Sequence, residues 1–176
     1  DINQIQYECS GINHMAFYTK FEKKLSDGST QDLYPQIHQV GKEGSFGPNW
    51  DGCTNHVRYE ILNRLGYFVT ESSEHFAEYT PWFIKNHQQG LLKDFDIPIN
   101  EYIRRCEKQI QEWDDQEQQL LSNKERDCKK SIEYASRIIL SMVTGKEDFI
   151  YGNVLNSNLI PNLPSNSCVE VPCLVK

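Results

Sequence analysis

The chain has 176 residues, a length that suits one domain with a sizeable buried core. Its 18 basic and 25 acidic side chains give a net charge of −7, which argues against nucleic acid or an anionic membrane surface as a partner. No apolar run approaches the roughly 20 residues that cross a bilayer, and no secretion signal is visible, so we expect a soluble, cytoplasmic protein.

The first part of the chain predicts a strand, a loop and a helix. The opening residues suggest a strand that leads through Gly11 into a tight, polar bend, where side chains can converge. Residues 26–51 are rich in Gly, Ser, Asp and Pro, which indicates a loop. From His56 the apolar residues follow a helical spacing that stops at Gly66, so a short helix with a glycine cap is predicted.

Residues 70–83 place acids, an imidazole, hydroxyls and a phenol among aromatic rings. Glu71, Glu74 and Glu78 lie at helical offsets, and His75 follows Glu71 by four residues, so one helix face could hold carboxylates beside an imidazole. Such a cluster would suit a metal ion, sugar hydroxyls or proton transfer. The alternative is ordinary capping after Thr70, with an acidic first turn that complements the helix dipole.

The second part of the chain predicts two helices followed by two strands. A sparse apolar stripe in the polar residues 100–130 indicates one long helix with one buried face. Residues 131–143 repeat the helical pattern up to Gly145 and are the best candidate for a buried helix. Residues 149–154 and 168–175 indicate strands. The predicted fold is α+β, dominated by helices, with a small mixed sheet.

Two further features concern the cysteines and the chain ends. The six cysteines form no C-x-x-C pair and two of them fall in predicted helices, so we expect free thiols rather than disulfides or a zinc site. They are Cys9, Cys53, Cys106, Cys128, Cys168 and Cys173. The last strand runs into Lys176 without a turn signal, and Asp1 precedes a cluster of candidate site residues, so we expect a fragment of a longer protein.

Three separated blocks, residues 9–17, 66–85 and 162–173, together resemble glycoside hydrolase family 4, in its branch of α-galactosidases (melibiases) and α-glucosidases. The resemblance implies that residues 1–176 form the C-terminal, substrate- and metal-binding domain. A G-x-G-x-x-G dinucleotide fingerprint does not occur in the sequence. The NAD-binding Rossmann domain of the family would therefore precede Asp1, and the chain alone should be inactive.

The resemblance also implies a reaction. Family members hydrolyse glycosides with NAD and a divalent metal, usually Mn²⁺, in an order of oxidation, elimination, addition and reduction. Oxidation at C3 of the sugar acidifies the C2 proton, a base removes that proton, and the aglycone leaves from C1. The expected substrate is an α-galactoside or a related α-glycoside or oligosaccharide. We expect a homo-oligomer for the full-length protein.

The family's metal-binding histidine corresponds to His14, in the G-x-N-H block. Its partner ligand in the family is a cysteine that would lie before Asp1, so Cys9 does not correspond to it. Asn13 is expected to contact sugar hydroxyls or to orient His14, because a carboxamide both donates and accepts hydrogen bonds. A turn-forming role for Asn13 is the alternative.

Other candidate residues lie in the acidic–aromatic stretch. Glu71, Glu74 and His75 are expected to bind substrate hydroxyls or to support the metal. Tyr79 is the candidate for the C2 base, with Tyr59 and Tyr67 as alternatives. Arg58 could contact an acidic or hydroxyl-rich ligand, but we prefer a salt bridge on the helix surface. Trp82 and Phe83 could pack against the apolar face of a sugar, and core packing is the alternative.

A different class of function remains open at this point. The long polar helix with its apolar stripe also fits a non-catalytic helical module that mediates oligomer contacts. Binding of Mn²⁺ in the presence of an α-galactoside would separate the two interpretations, because only the enzymatic one involves His14.

Overall fold

The computed structural model describes residues 2–44, 54–88, 90–122 and 133–176. Among the helices in these ranges, none is long and apolar enough to cross a membrane. The elements in chain order are β1 (Ile5–Ile12), β2 (Met15–Lys24), β3 (Thr30–Asp32), α1 (Tyr34–Glu43), α2 (His56–Leu65), α3 (Ser73–Glu78), α4 (Gly90–Asp94), α5 (Glu101–Leu121), α6 (Ala135–Thr144), β4 (Asp148–Leu155) and β5 (Cys168–Val175).

The strands form one five-stranded sheet in the order β3-β2-β1-β5-β4. The predicted α+β class is confirmed, but the sheet differs from the mixed sheet that we expected, because every described pairing is antiparallel. β1 with β2, and β4 with β5, follow each other in the chain without an intervening helix. Such connections favour antiparallel neighbours, whereas parallel pairing needs a longer crossover.

The predicted strand and bend at the amino end are confirmed as a β-hairpin. β1 and β2 pair up to Ile12 and Met15, so Asn13 and His14 form the connecting turn. The peptide bond between these two residues is cis. The tip of this hairpin is therefore the position of the G-x-N-H block.

The hydrophobic core lies between α2, α3 and the hairpin. Its buried members are Val57, Ile61, Val69, Phe76, Ala77, Phe83 and Ile97, and Phe17 of β2 packs against them. The predicted helix from His56 to Leu65 is confirmed, and the Gly66 N–H closes it by donating to the Leu62 carbonyl at 2.8 Å. The core thus fixes α3 beside β2.

One predicted loop is wrong in its described part. Residues 26–44 contain β3 and α1, while residues 45–51 lie outside the described ranges. The turn-forming residues stand at the ends of α1 rather than within it, because Pro35 occupies its first turn and Gly44, with φ of +72°, caps it. The Tyr34 hydroxyl at the start of this helix donates to the Tyr18 carbonyl.

Both C-terminal helices are present, but α5 ends at Leu121, short of the predicted end near residue 130, and α6 begins at Ala135, while residues 123–132 lie outside the described ranges. The burial that we expected for both helices is wrong for this chain. Within α5, which is described throughout, only Glu101 is buried. In α6 the buried residue is Ser141, whose hydroxyl donates to the Lys146 carbonyl, while the apolar residues Ile139, Leu140, Met142 and Val143 are exposed. Helical periodicity identifies an apolar face but does not show what covers it. The two strands that follow are confirmed as β4 and β5.

The free thiols are confirmed for the cysteines in the described ranges. Cys9, Cys106, Cys168 and Cys173 are unpaired, whereas Cys53 and Cys128 lie outside those ranges. Burial raises the pKa of the Cys9 thiol to about 12, and the Glu170 carboxylate adds to the shift. Cys9 is therefore protonated at neutral pH and behaves as a small core residue.

Candidate metal and substrate site

The site depends on residues 68–70, a short segment that is not one of the sheet's strands but pairs with β2 of the hairpin. Residues 68–70 run beside β2 through an antiparallel bridge and backbone hydrogen bonds. The bridge joins Phe17 to Val69, Tyr18 donates to Phe68 at 2.9 Å, and Thr70 donates to Ala16 at 3.0 Å. This pairing carries Glu71, the next residue, to the hairpin turn that holds His14.

Arg58 holds the same segment from the side of α2. Its guanidinium donates to the Val69 carbonyl at 2.9 Å and to Asn55 Oδ1 at 3.1 Å, and its carbon Cζ lies 4.3 Å from the centre of the Phe68 ring. Burial lowers the pKa of Arg58, and the attraction of Glu71 opposes that shift. The surface salt bridge that we preferred for Arg58 is therefore wrong, because its charge faces inward and supports the segment.

α3 begins at Ser73, two residues after Glu71. Ser72 is its N-cap, with a hydroxyl that accepts from the His75 N–H at 3.3 Å and contacts His75 Nδ1 at 3.1 Å. Capping is thus present, but at Ser72 rather than Thr70. The cap also restrains the His75 ring.

The three acids of this stretch do not share one helix face. Glu74 is buried on another side and forms an ion pair with Arg105 of α5 at 3.1 Å, whereas Glu78 is exposed. Burial raises the pKa of Glu74, and Arg105 opposes this shift. Glu71 alone of the three lies beside both imidazoles.

The carboxylate of Glu71 bridges His14 and His75. Its Oε1 lies 3.4 Å from His14 Nδ1, and its Oε2 lies 3.0 Å from His75 Nδ1. One ligand atom from each of the three residues can be chosen so that all lie within 4.8 Å of one another. Residues from the hairpin turn and from the start of α3 therefore converge on a space the size of a single cation.

This donor set fits a divalent metal ion. Within the described residues, His14 Nδ1 is buried and has no hydrogen-bond partner, and its near neighbour is Glu71 Oε1 at 3.4 Å. A buried polar atom without a partner costs about 1–3 kcal/mol, which coordination would offset. Imidazole nitrogen and carboxylate oxygen are both acceptable ligands for Mn²⁺. The sequence indicated His14 for the metal, and Glu71 and His75 for sugar hydroxyls or for support of the metal, and the geometry brings all three together.

Tyr79 stacks on His14. Its ring lies 5.2 Å from that of His14, with the planes inclined by 18°, and its side chain is 58% exposed. The alternatives have other neighbours, since Tyr59 packs against Phe68 and Tyr67 against Tyr34. Tyr79 is thus the one of the three candidates whose ring contacts His14.

Asn13 and Glu170 also lie near His14. Asn13 is exposed in the hairpin turn, immediately before His14. Glu170 of β5 pairs in register with Gly11, and its charge interacts with both Glu71 and His14. Burial raises the pKa of Glu170, Glu71 raises it further and His14 opposes the shift. Sequence reasoning missed Glu170, although it is the one charged residue in the apolar strand β5.

The two aromatic residues that we weighed as sugar contacts, Trp82 and Phe83, lie away from His14 and Glu71. Phe83 is buried in the core, and Trp82 lines a separate cleft of about 450 Å³ between α2 and residues 82–95. None of His14, Glu71 and His75 lines that cleft. Core packing is therefore the role of Phe83 in this chain.

Residues 9–176 match the model of the family 4 glycosyl hydrolase C-terminal domain. The α-galactosidase of Bacillus subtilis (strain 168) is 44% identical over 97% of this chain and 37% of its own length. The α-galactosidase of Rhizobium meliloti (strain 1021) is 25% identical over 98% of this chain and 35% of its own length. The chain thus spans little more than a third of these relatives.

Solved structures share the fold. The structure of lplD from Bacillus subtilis, assigned as a glucosidase, superposes with a TM-score of 0.79 at 18% identity, over 99% of this chain and 40% of that one. A 6-phospho-beta glucosidase from Thermotoga maritima, with manganese, NAD+ and glucose-6-phosphate, has a TM-score of 0.53 at 15% identity, over 100% of this chain and 36% of that one. Sequence match and fold agree, and this chain belongs to the family 4 glycosyl hydrolases, whose C-terminal domain it contains.

Proposed function

We propose that this chain is the substrate- and metal-binding domain of a longer, cytoplasmic enzyme that hydrolyses α-galactosides or related α-glycosides with NAD⁺ and Mn²⁺. The observation that carries the proposal is the Glu71 carboxylate between two imidazoles, with His14 Nδ1 otherwise unpartnered. Two relatives named α-galactosidase support the substrate class. The manganese and NAD+ in the Thermotoga maritima enzyme support the cofactors.

In this proposal His14 holds the metal, and Glu71 and His75 orient it or bind the sugar hydroxyls beside it. When bound, the divalent metal would supply Lewis-acid polarisation of the sugar oxygens, and NAD⁺ would supply the acceptor for a hydride. Ser72 fixes the His75 ring from the helix cap. The exposed Asn13 is free to turn its carboxamide toward a sugar hydroxyl at the open side of the site.

Tyr79 is the proposed base at C2. Its phenol is exposed beside the metal ligand His14, so its hydroxyl is accessible to a sugar bound at the metal. General-base assistance by a positioned side chain contributes roughly 10²–10⁴-fold to a rate. Removal of the C2 proton is the step that distinguishes this reaction from hydrolysis by two carboxylates, in which C2–H is not broken.

The deciding experiment follows that proton. The natural protein that contains this chain is assayed on nitrophenyl α-galactoside in D₂O, with and without NAD⁺ and Mn²⁺, and the galactose formed is analysed by NMR. The proposal requires activity that depends on both additions and deuterium at C2 of the product. Galactose that retains protium at C2, or activity without NAD⁺, would overturn the proposed mechanism.

A variant pair tests the assignment of the metal site. His14→Ala should abolish Mn²⁺ binding, measured by electron paramagnetic resonance, together with activity. His87→Ala is the matched control, since His87 is an exposed histidine outside the site. Equal Mn²⁺ binding by both variants would move the metal site away from His14 and favour the non-catalytic interpretation for this domain.

A further inference from the structure

Glu170 is the charged residue of β5, and the sheet places it at the end where the proposed metal site lies. β5 pairs antiparallel with β1, and the register sets Glu170 beside Gly11, three residues before His14. Residues that face each other across an antiparallel pair carry their side chains on the same face of the sheet. The start of β5 therefore adjoins the hairpin turn that holds His14.

The electrostatic surroundings of Glu170 show on which face its carboxylate lies. Burial raises the pKa of the Cys9 thiol, two residues before Gly11 on β1, and the Glu170 charge adds to that shift. The charges of Glu71 and His14 act on Glu170 with opposite signs, Glu71 by repulsion and His14 by attraction. The carboxylate thus lies on the face of β1 that carries Cys9, near two residues of the proposed metal site.

The Glu170 carboxylate has no donor of its own. Within the described residues, no group donates a hydrogen bond to it and no cationic side chain forms an ion pair with it. Burial raises its pKa, repulsion from Glu71 adds to that shift, and His14 opposes it. A half-buried carboxylate that loses hydration and gains no hydrogen bond is costly, and a bound ligand that donates a hydrogen bond would offset the cost.

Glu170 does not belong to the metal cluster itself. Ligand atoms of His14, Glu71 and His75 lie within 4.8 Å of one another, and Glu170 does not join that group. A cation held by these three residues is therefore bound without Glu170. A sugar hydroxyl can connect the two, because its oxygen binds the cation while its hydrogen remains available for donation. The cation also strengthens the hydroxyl as a donor, since it draws charge from the oxygen.

We propose that Glu170 is a substrate-binding residue, whose carboxylate accepts a hydrogen bond from a hydroxyl of the sugar ring held at the metal. The inference rests on the proposed function, since it takes the sugar and the metal at His14 as given. It adds a specificity element to that site. A sugar without this hydroxyl binds more weakly, because it leaves the carboxylate without a donor.

The test measures sugar binding without turnover. The natural protein that contains this chain is saturated with Mn²⁺ and with NADH, which cannot accept the hydride, and methyl α-galactoside is titrated by calorimetry. Glu170→Gln keeps the size of the side chain but removes its charge, so the dissociation constant of the sugar should rise about 10-fold. Glu147→Gln is the control and should match the parent, because Glu147 is exposed and its partner is Lys176 at 3.9 Å.

Deoxy analogues identify the hydroxyl that Glu170 contacts. The titration is repeated with the four derivatives of methyl α-galactoside that each lack one hydroxyl. One of them should already bind weakly to the parent, and Glu170→Gln should cause little further loss, since the hydrogen bond is absent in both cases. An effect transmitted through the metal has the opposite sign, because removal of a carboxylate leaves the cation more attractive to hydroxyl oxygens.

Equal sugar affinity of Glu170→Gln and the parent would overturn this inference and leave the proposed function intact. The same fold loss for all four deoxy analogues would overturn it too, because no hydroxyl would then depend on Glu170. Loss of Mn²⁺ binding by Glu170→Gln would assign the residue to the metal and contradict the inference as well. A parent that binds no methyl α-galactoside under these conditions would contradict the proposed function itself, and this inference with it.

Discussion

The imidazole of His14 lies nearly parallel to the phenol ring of Tyr79, with their centroids 5.2 Å apart and their planes inclined by 18°. His14 comes from the hairpin turn, whereas Tyr79 follows the last turn of α3. Packing of Phe17 against Phe76, with ring centroids 6.2 Å apart, helps to hold these two elements together. The hydrophobic core therefore sets the distance between the proposed metal ligand and the proposed base.

Replacing Tyr79 by Phe separates stacking from proton transfer. The ring of Tyr79→Phe can still pack on His14, so Mn²⁺ affinity should change little, while kcat should fall about 100-fold or more because the hydroxyl is lost. Steady-state kinetics on the natural protein and Mn²⁺ titration measure the two effects. Tyr67→Phe, in a half-exposed ring that packs against Tyr34, is the control and should leave kcat unchanged. An unaltered kcat in Tyr79→Phe would exclude Tyr79 as the base.

Replacing Glu71 by Gln tests the bridging carboxylate. Glu71→Gln keeps the size of the side chain but removes the charge that faces both imidazoles, so the dissociation constant for Mn²⁺ should rise by about 10–100-fold. Glu78→Gln changes an exposed acid at the end of α3 and should leave that constant near the parent value. Both are measured by isothermal titration. If the two variants bind Mn²⁺ equally well, Glu71 does not take part in the metal site.

Local signals in the sequence were sufficient for much of the fold. The helical spacing that ends at Gly66 fixed α2 at both ends, and Gly11 marked the approach to the hairpin turn. α1 was missed because Pro35 and Gly44 were taken as loop residues, although both positions are typical of helix ends. Signals of this kind act over a few residues. They therefore identify helices and strands more reliably than they identify contacts between residues that are distant in the sequence.

The site could be predicted only in part, for a physical reason. His14 and Glu71 were both candidates, but their contact depends on the bridge between Phe17 and Val69, a non-local pairing that no spacing in the sequence indicates. Glu170 joins them through the register of β5 against β1, which is equally non-local. The resemblance to a family supplied the proposed role of His14, while only the packed structure shows which acid lies beside it.

The close approach of the two hairpin strands predicts a stability effect at Gly11. A Cβ there would lie 2.8 Å from the Ala16 Cα and 3.0 Å from the Met15 carbonyl oxygen, at a backbone φ of +147°. Gly11→Ala should therefore lower the free energy of unfolding by about 1–3 kcal/mol. Gly28→Ala is the control, because its φ is also positive but no atom lies within 4 Å of the added Cβ. Urea unfolding should show a larger loss of unfolding free energy for Gly11→Ala than for Gly28→Ala. Equal losses would mean that the contacts of the added Cβ with Ala16 and Met15 do not affect stability.

The buried carboxylate at the start of α5 predicts a pH-dependent contribution to stability. Glu101 is 7% exposed and accepts hydrogen bonds from Arg104 and Arg105, and these bonds, that of Arg104 foremost, lower its pKa from 4.5 to about 2. Because the folded pKa lies below the unfolded one, the ionised carboxylate stabilises the fold above pH 4.5, and this stability is lost as the pH falls toward 2.

Glu101→Gln should accordingly be less stable than the parent at pH 7, and the difference in free energy of unfolding should shrink progressively below pH 4.5. Urea unfolding at neutral pH and at about pH 3 measures the difference at both ends of that range. Glu107→Gln, an exposed acid of α5, is the control and should lie close to the parent at either pH. A Glu101→Gln difference that stays constant from pH 7 to pH 3 would mean that the two arginines bind the neutral and the ionised side chain equally well, and that Glu101 fastens the end of α5 by packing rather than by charge.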